Sequence, residues 1–355
     1  MYAREAPRRA LLAGRGEGSG GLVSRAAETS RTHASIPEPR ADMWQTLHAT
    51  FVREARESGT AGRSRCRTLF LGDSITEAMR GTQFGEFYDE LAGRRAVFEK
   101  WFPLNEARAF GISGDRTQNV LRRIRDGELS FRHPPGVVVL CVGTNNLGRD
   151  NDGPADTFLG IRAVVLEILQ TLPGTRVLLT GILPRGPAKG RSSMPPAAGE
   201  AASYADEPRG VRLDGERRKN SSPSSKYAQP GAHTAAIEEV NARLKALARG
   251  SGGVVAFVDC ASAFLSDDGA SIRPERMRDV LHPTAEGMHA WFQILKPAVE
   301  ALRNAPAPSE SWYTGASVAP ASENGTLESV DGGVRLALSR CVLSHTGPHT
   351  TALAW

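Results

Sequence analysis

The sequence has little cysteine, and its cysteines lack the spacing of a metal site. Four cysteines occur among 355 residues, and no two of them lie close together in the chain. Cys141 falls inside an apolar stretch and Cys260 directly follows another, and a free thiol in such places usually packs as a small hydrophobic group. This usage fits a reducing compartment and does not indicate a metal centre.

Long apolar runs are also missing. No run approaches the roughly 18 residues that a membrane-spanning helix needs. The apolar stretch at residues 10–13 is too short for the core of a secretory signal. The Arg and Ser content of the N-terminus fits an organelle transit peptide, but Glu5, Glu17 and Glu28 count against one. The sequence therefore favours a cytoplasmic location and leaves a transit peptide as the alternative.

The net charge of +5 has no accompanying stripe of basic and aromatic residues. Residues 1–65 hold 11 Lys and Arg against 7 Asp and Glu, and residues 185–230 hold 9 against 5, so the rest is mildly acidic. Nucleic acid is therefore not expected as a partner. A nucleotide-binding protein is a remote alternative, because neither Gly-x-Gly-x-x-Gly nor Gly-x4-Gly-Lys-Ser/Thr follows the first strand.

Composition divides the chain into segments. Residues 1–42 are rich in Gly, Ser, Arg and Ala without apolar periodicity, and we predict that they are disordered. Residues 43–304 are predicted to form one domain. Pro, Gly, Ser and charged residues crowd positions 186–231, which predicts a flexible insertion. Residues 305–355 are predicted to be a largely disordered tail.

Short apolar stretches alternate with amphipathic ones in the predicted domain. The strand candidates are 67–72, 107–112, 137–142, 176–182 and 254–259. Apolar stripes predict helices at 154–172 and 284–302, among others. This alternation predicts a parallel sheet covered by helices on both faces, with ligands bound beyond the carboxyl ends of its strands.

Ser74 stands where the first predicted strand gives way to a helix. The strand runs to Gly72, and Ser74 follows at the helix N-terminus, where backbone N–H groups and the helix dipole favour an oxyanion. This position suits a nucleophile. The structural alternative is a capping box, because Glu77 follows Ser74 at the required spacing.

Asp279-Val-Leu-His282 is the best candidate for the base that a serine nucleophile requires. An aspartate three residues before a histidine can accept the ring N–H and fix its tautomer. The alternative is an incidental pairing. The motif follows the fifth predicted strand, from where His282 can reach the serine that follows the first strand.

Two further loops offer oxyanion donors. Gly114 follows the second strand and can present its backbone N–H without a side chain in the way. Asn145 follows the third strand, where its amide can donate to a developing oxyanion, although an ordinary Asn-rich turn is the alternative. Asp115 and Gln118 fit a capping box, so Asp115 is assigned a structural role.

These blocks, in this order, resemble those of the SGNH (GDSL-type) hydrolase family. The matching blocks are Gly72-Asp-Ser74, Gly114, Gly143-x-Asn145 and Asp279-x-x-His282. Within the family, the chain most resembles the catalytic subunits of platelet-activating-factor acetylhydrolase and similar esterases. Three stretches carry that likeness: Gly114-Asp-Arg-Thr-Gln-Asn-Val-Leu, Gly143-Thr-Asn-Asn and Leu183-Pro-Arg-Gly186.

The resemblance implies a fold and a set of site residues. The fold is a flavodoxin-like three-layer α/β/α sandwich with a five-stranded parallel sheet of order 2-1-3-4-5. Ser74 would attack the acyl carbonyl, His282 would act as general base and then acid, and Asp279 would orient His282. The backbone N–H groups of Ser74 and Gly114 and the side chain of Asn145 would hold the oxyanion. No metal or organic cofactor is implied.

The resemblance also implies a function, a serine esterase that removes a short acyl or acetyl group from a lipid or glycan ester through an acyl-enzyme. The alternatives are a non-catalytic binding or scaffold protein of the same fold, and a lysophospholipase or thioesterase acting on longer acyl chains. The substrate would be a small-molecule acyl ester, and a homodimer is compatible with the resemblance. Residues 78–107 are longer than in the acetylhydrolase subunits, and the insertion at 186–231 has no counterpart there.

Overall fold

A five-stranded parallel sheet forms the centre of the protein. The computed structural model describes residues 32–187 and 225–306. The strands are β1 (Thr68–Gly72), β2 (Ala107–Gly111), β3 (Val137–Cys141), β4 (Arg176–Thr180) and β5 (Val255–Val258). Their order is 2-1-3-4-5, and every neighbouring pair is parallel. The predicted fold class and strand order are therefore confirmed, and all five carboxyl ends lie at one edge.

The described helices follow the strands in the predicted alternation. They are α1 (Met43–Glu57), α2 (Ser74–Glu77), α3 (Asp89–Trp101), α4 (Thr117–Arg123), α5 (Thr144–Gly148), α6 (Pro154–Thr171), α7 (Thr234–Arg249) and α8 (Ala285–Asn304). A two-residue ribbon pairs residues 82–83 with 86–87 between α2 and α3. Thr284 caps α8 by accepting a hydrogen bond from the Gly287 N–H.

Two apolar cores separate the sheet from its helices, because side chains of successive strand residues point to opposite faces. In β1, Leu69 and Leu71 join the core formed with α1, α4, α6 and α7. Phe70 joins the core on the opposite face, formed with α3 and α8. There its ring meets the rings of Phe98 and Phe292 at centroid distances of 5.3 and 6.3 Å. The sheet is thus the middle of three layers.

The N-terminal boundary of the domain lies earlier in the chain than predicted. Residues 32–42 pack against the domain, whereas we expected disorder up to residue 42. Thr117 Oγ1 donates to the Ala34 carbonyl at 2.7 Å, and Asn119 Nδ2 donates to the Glu38 carbonyl at 3.0 Å. Backbone and side-chain hydrogen bonds hold this segment where apolar periodicity is absent. The rest of the predicted disordered segment, residues 1–31, lies outside the described residues.

The end of the predicted insertion is also part of the domain. Tyr227 accepts a backbone hydrogen bond from Ile272 at 2.8 Å, and its hydroxyl donates to the Arg278 carbonyl at 2.8 Å. Within the predicted insertion, residues 225–231 therefore contain contacts with residues distant in sequence. Residues 188–224 lie outside the described residues, as does the predicted tail from residue 307 onward.

No helix within residues 32–187 and 225–306 is both long enough and apolar enough to span a bilayer.

Candidate active site

Ser74 is the first residue of α2 and lies at the carboxyl end of β1. Two glycines allow α2 to pack directly on the strand ends. A Cβ on Gly72 would lie 2.1 Å from the Cys141 carbonyl oxygen, and a Cβ on Gly111 would lie 2.3 Å from the Glu77 nitrogen. Neither position has room for a side chain, so the close approach that places Ser74 at this edge depends on glycine.

The helix cap differs from the predicted capping box. Asp73 is the N-cap residue, and its side chain accepts the Ile75 N–H at 3.0 Å. Ser74 is left free of that task, and its hydroxyl points elsewhere. The prediction of Ser74 as the N-cap was wrong because Asp73, which also favours the N-cap, precedes Ser74 and occupies that position.

Glu77 connects α2 to the loops around it. Its side chain is fully buried, and Oε2 accepts both the backbone N–H and the hydroxyl of Ser113 at 2.7 Å. Oε1 accepts the Gly85 N–H at 2.8 Å and the Thr82 hydroxyl at 3.2 Å. The residue that sequence reasoning assigned to the cap thus joins the Ser74 helix to the loop after β2.

Ser74, His282 and Asp279 form a chain of hydrogen bonds. Ser74 Oγ lies 2.9 Å from His282 Nε2, and His282 Nδ1 lies 2.6 Å from Asp279 Oδ2. Asp279 Oδ1 also accepts the His282 backbone N–H at 2.7 Å. The structure thus brings Ser74 beside His282, which lies 208 residues further along the chain.

The turn that contains Asp279 and His282 has an unusual backbone conformation. Val280 has φ of 60°, which is uncommon for a β-branched residue, and its carbonyl accepts the Gly186 N–H at 2.9 Å. Burial alone would raise the pKa of Asp279, but hydrogen bonds and charge from His282 outweigh burial and hold that pKa well below its usual range. Asp279 is therefore an anion at neutral pH.

Gly114 lies in the loop between β2 and α4 with φ of 79°. Its backbone N–H donates no hydrogen bond to any described residue, and the same holds for the Ser74 N–H. A Cβ at position 114 would stand 3.2 Å from Arg149 Nη1 and 3.4 Å from Arg40 Nη1. Two guanidinium groups therefore lie close to this predicted oxyanion donor.

Asp115 has a structural role, but not the predicted capping role. The N-cap of α4 is Arg116, whose backbone N–H donates to Asn119 Oδ1 at 3.0 Å. The buried Asp115 carboxylate instead accepts Trp44 Nε1 and Arg123 Nε, both at 2.8 Å. Burial raises the pKa of Asp115, and the guanidiniums of Arg123 and Arg40 oppose that rise.

Arg123 is fully buried and ties several elements together. It donates to Asp115, to Glu128 and to the Gly72 carbonyl, the last at 2.9 Å. Glu128 in turn lies 2.9 Å from His48 Nδ1. Sequence reasoning missed this network, although an arginine and two acids within one amphipathic stretch are a visible signal.

Asn145 lies in the first turn of α5 and is almost fully buried. Its Nδ2 donates to the Asp115 carbonyl at 2.8 Å, which fixes the amide plane beside the Gly114 loop. An amide nitrogen carries two N–H donors, so one remains for another acceptor. Arg185 supports this helix by donating from Nη1 to the Thr144 carbonyl at 2.6 Å.

Asp73 is a second buried carboxyl beside the nucleophile candidate. Burial raises its pKa to about 7, and the Ile75 N–H and the charge of His282 partly oppose the rise. Its Oδ2 has no hydrogen-bond partner among the described residues. Asp73 is thus poised to hold a proton near neutral pH.

A cavity of about 570 Å³ lies apart from these residues, beside the edge strand β2. Met79, Phe84, Phe98 and Leu104 contribute to its lining, whereas Ser74, Asp279 and His282 do not. No group of three or more His, Cys, Asp or Glu side chains suited to a metal occurs within residues 32–187 and 225–306.

A serine hydrogen-bonded to a histidine, and the histidine to an aspartate, at the strand ends of an α/β sheet is the arrangement that serine hydrolases use. Residues 70–211 match the model of the GDSL-like lipase/acylhydrolase family. The resemblance drawn from the sequence blocks is therefore confirmed over that region. The region contains Ser74, Gly114 and Asn145 and ends before Asp279.

Among curated proteins, the chain matches subunits of platelet-activating factor acetylhydrolase. The chain is 34% identical over 158 residues to platelet-activating factor acetylhydrolase IB subunit alpha1 of Bos taurus, covering 43% of this chain and 58% of that protein. The Drosophila melanogaster subunit beta homolog is 31% identical over 156 residues, 42% of this chain and 59% of that one. The chain thus spans somewhat more than half the length of these relatives. A GDSL-like lipase structure from Bacteroides thetaiotaomicron aligns at 20% identity and TM-score 0.43, over 72% of this chain and 95% of that one.

Proposed function

We propose that this protein is a serine esterase that hydrolyses acyl esters through Ser74. The observation that carries the proposal is the hydrogen-bond chain from Ser74 Oγ to His282 Nε2 and from His282 Nδ1 to Asp279. The family match over residues 70–211 and the acetylhydrolase names of the relatives support the same reaction class.

Acylation begins at the Ser74 hydroxyl. Its oxygen attacks the ester carbonyl while His282 Nε2 takes the hydroxyl proton, and Asp279 stabilises the imidazolium that results. The ionised state of Asp279 makes this stabilisation available at neutral pH. The negative charge that develops on the carbonyl oxygen is held by the N–H groups of Ser74 and Gly114 and by the Asn145 amide. His282 then protonates the departing alcohol, which leaves Ser74 acylated.

Deacylation repeats these steps with water. His282 takes a proton from a water molecule, the hydroxide attacks the acyl carbonyl, and the same donors hold the second oxyanion. The intermediate collapses when the Ser74 oxygen leaves and receives the proton from His282. The products are a carboxylic acid and the free enzyme.

We further propose that the acyl group is short, with acetyl preferred, and that the alcohol belongs to a lipid or glycan. The acetylhydrolase names of the relatives support the acetyl group. Rates on p-nitrophenyl esters from acetyl to palmitoyl test this point. A maximum at acetyl or butyryl supports it, and a maximum at long chains indicates a lysophospholipase-type or thioesterase-type activity instead.

The nucleophile is tested with Ser74→Ala in two assays, hydrolysis of p-nitrophenyl acetate and covalent labelling by a fluorophosphonate. We expect kcat to fall by about a thousandfold or more and labelling to disappear. Ser64→Ala, an exposed serine whose hydroxyl accepts from Arg108, is the control and should behave as wild type. Equal labelling of Ser74→Ala and wild type would remove Ser74 from the mechanism. A folded wild-type protein that is inert on all esters would point to a binding protein.

A further inference from the structure

Arg40 reaches the Gly114 loop from the segment that precedes α1. Its Nη1 donates to the Ser113 carbonyl at 2.8 Å and to Asp115 Oδ1 at 3.1 Å. The guanidinium also lies over the Phe84 ring, 5.9 Å from its centroid, and its side chain is 13% exposed. This arginine comes from outside the region that matches the family model, which begins at residue 70.

The carbonyl that Arg40 binds belongs to the same peptide group as the Gly114 N–H. In a trans peptide the C=O and the N–H point in opposite directions. A donor fixed on the Ser113 oxygen therefore holds the Gly114 N–H facing away from the guanidinium. A charged donor on the carbonyl also polarises the peptide and strengthens its N–H as a hydrogen-bond donor.

The other side of Ser113 is fixed as well. Glu77, on the helix that carries Ser74, accepts the Ser113 N–H and hydroxyl at 2.7 Å. The remaining freedom of the loop is rotation of the peptide between Ser113 and Gly114, which glycine permits. Arg40 opposes this rotation, because within residues 32–187 and 225–306 its hydrogen bond is the one made to the Ser113 carbonyl.

Neutralising the charge of Asp115 is not a sufficient role for Arg40. That carboxylate already accepts hydrogen bonds from Arg123 and Trp44, both deeper in the protein. Without Arg40, Asp115 would keep these two donors, whereas the buried Ser113 would lose the donor to its carbonyl. Among the described residues, Arg40 is thus the one whose loss leaves the Ser113 carbonyl without a donor.

We propose that Arg40 is a positioning residue for the esterase reaction, one that orients and polarises the Ser113–Gly114 peptide so that the Gly114 N–H binds the oxyanion. This inference rests on the proposed function. It assigns support of the oxyanion site to residues 32–42, a segment that precedes α1 and that composition alone marks as disordered.

The test compares Arg40→Met with Arg40→Lys. Methionine keeps an unbranched stem over Phe84 but donates nothing, whereas the lysine ammonium can still donate to the Ser113 carbonyl. On p-nitrophenyl acetate we expect Arg40→Met to lower kcat about tenfold with KM unchanged, because removal of a whole oxyanion donor lowers kcat about 100-fold or more and here the N–H remains. Arg40→Lys should recover part of the loss.

The control is Glu38→Ala, which removes an ion pair to Arg116 from the same segment without touching Ser113. We expect wild-type kcat for this variant. If Glu38→Ala lowers kcat as much as Arg40→Met, attachment of the segment as a whole is responsible and the proposal fails. A rise in KM with kcat unchanged in Arg40→Met would also overturn it.

A second readout keeps this inference separate from the proposed function. In ¹⁵N NMR spectra, the Gly114 amide resonance should move in Arg40→Met and return toward its wild-type position in Arg40→Lys. An unmoved resonance overturns the role of Arg40 even if the enzyme is active. A moved resonance in a protein without esterase activity, or one whose activity survives Ser74→Ala, supports the peptide contact while the proposed function fails.

Discussion

The buried Arg123 allows the sharpest quantitative prediction. Replacing it with methionine keeps the volume of the stem but removes three sets of hydrogen bonds, to Asp115, to Glu128 and to the Gly72 carbonyl. Loss of one partner from a buried ion pair destabilises a protein by about 3–5 kcal/mol, because the remaining charge stays buried. The Gly72 contact is worth about 1–3 kcal/mol more, and contributions within one network do not add fully. We expect the free energy of unfolding to fall by about 4 kcal/mol.

The loss of stability in Arg123→Met should depend on pH. In Arg123→Met the folded protein lacks the cation that lowers the pKa of Asp115, so that pKa rises further above its unfolded value. The folded state then holds a proton that the unfolded chain has released, which lowers stability as pH rises. The difference from wild type should therefore grow as pH rises above the pKa that Asp115 has in the folded wild-type protein. Adding Glu128→Gln, which removes the charge of a buried carboxylate that has lost its guanidinium partner, should restore part of the stability.

Urea unfolding followed by circular dichroism measures these differences, with a second probe to test for two-state behaviour. Arg125→Met is the matched control, since Arg125 lies two residues further on and its pair with Glu167 is at the surface. Its loss should be below about 1 kcal/mol. A loss in Arg123→Met no greater than in the control, or one that does not change with pH, would refute this account of the network.

Two further predictions concern the edge of the site. The pKa of Asp73, raised to about 7 from 3.8, means that wild-type stability declines through this group as pH rises between those values. Asp73→Asn should flatten that decline in urea titrations from pH 4.5 to 8, and parallel profiles would contradict the raised pKa. Gly114→Ala and Gly174→Ala both place a Cβ at positive φ, at 79° and 87°, so each should lower stability by about 1–2 kcal/mol. Only Gly114→Ala, whose Cβ meets guanidinium groups, should also lower kcat on p-nitrophenyl acetate; equal kcat in the two variants would argue against Gly114 as a donor.

Local signals predicted the elements well because each depends on nearby residues. Apolar stretches predicted β1 to β5 to within a few residues, and the apolar stripes predicted α6 and α8. The cap of α2 was predicted at the wrong residue, since Asp73 and Ser74 both favour that position and their propensities do not choose between them. The side chain of Glu77 is not available to the cap, because it accepts hydrogen bonds from Ser113 in the loop after β2.

The sequence by itself determined the alternation of strands and helices, and with it the parallel sheet and the shared edge at which Ser74, Gly114, Asn145 and His282 lie. These features depend on hydrophobic periodicity and on glycines that permit close packing, and both are readable residue by residue. Only the tertiary structure decided which side chains hold the loops at that edge. Arg40 and Arg123 bind carbonyls and carboxylates far away in the chain. Such pairings carry no local pattern, because the energy of a buried charge depends on the partners that folding brings beside it.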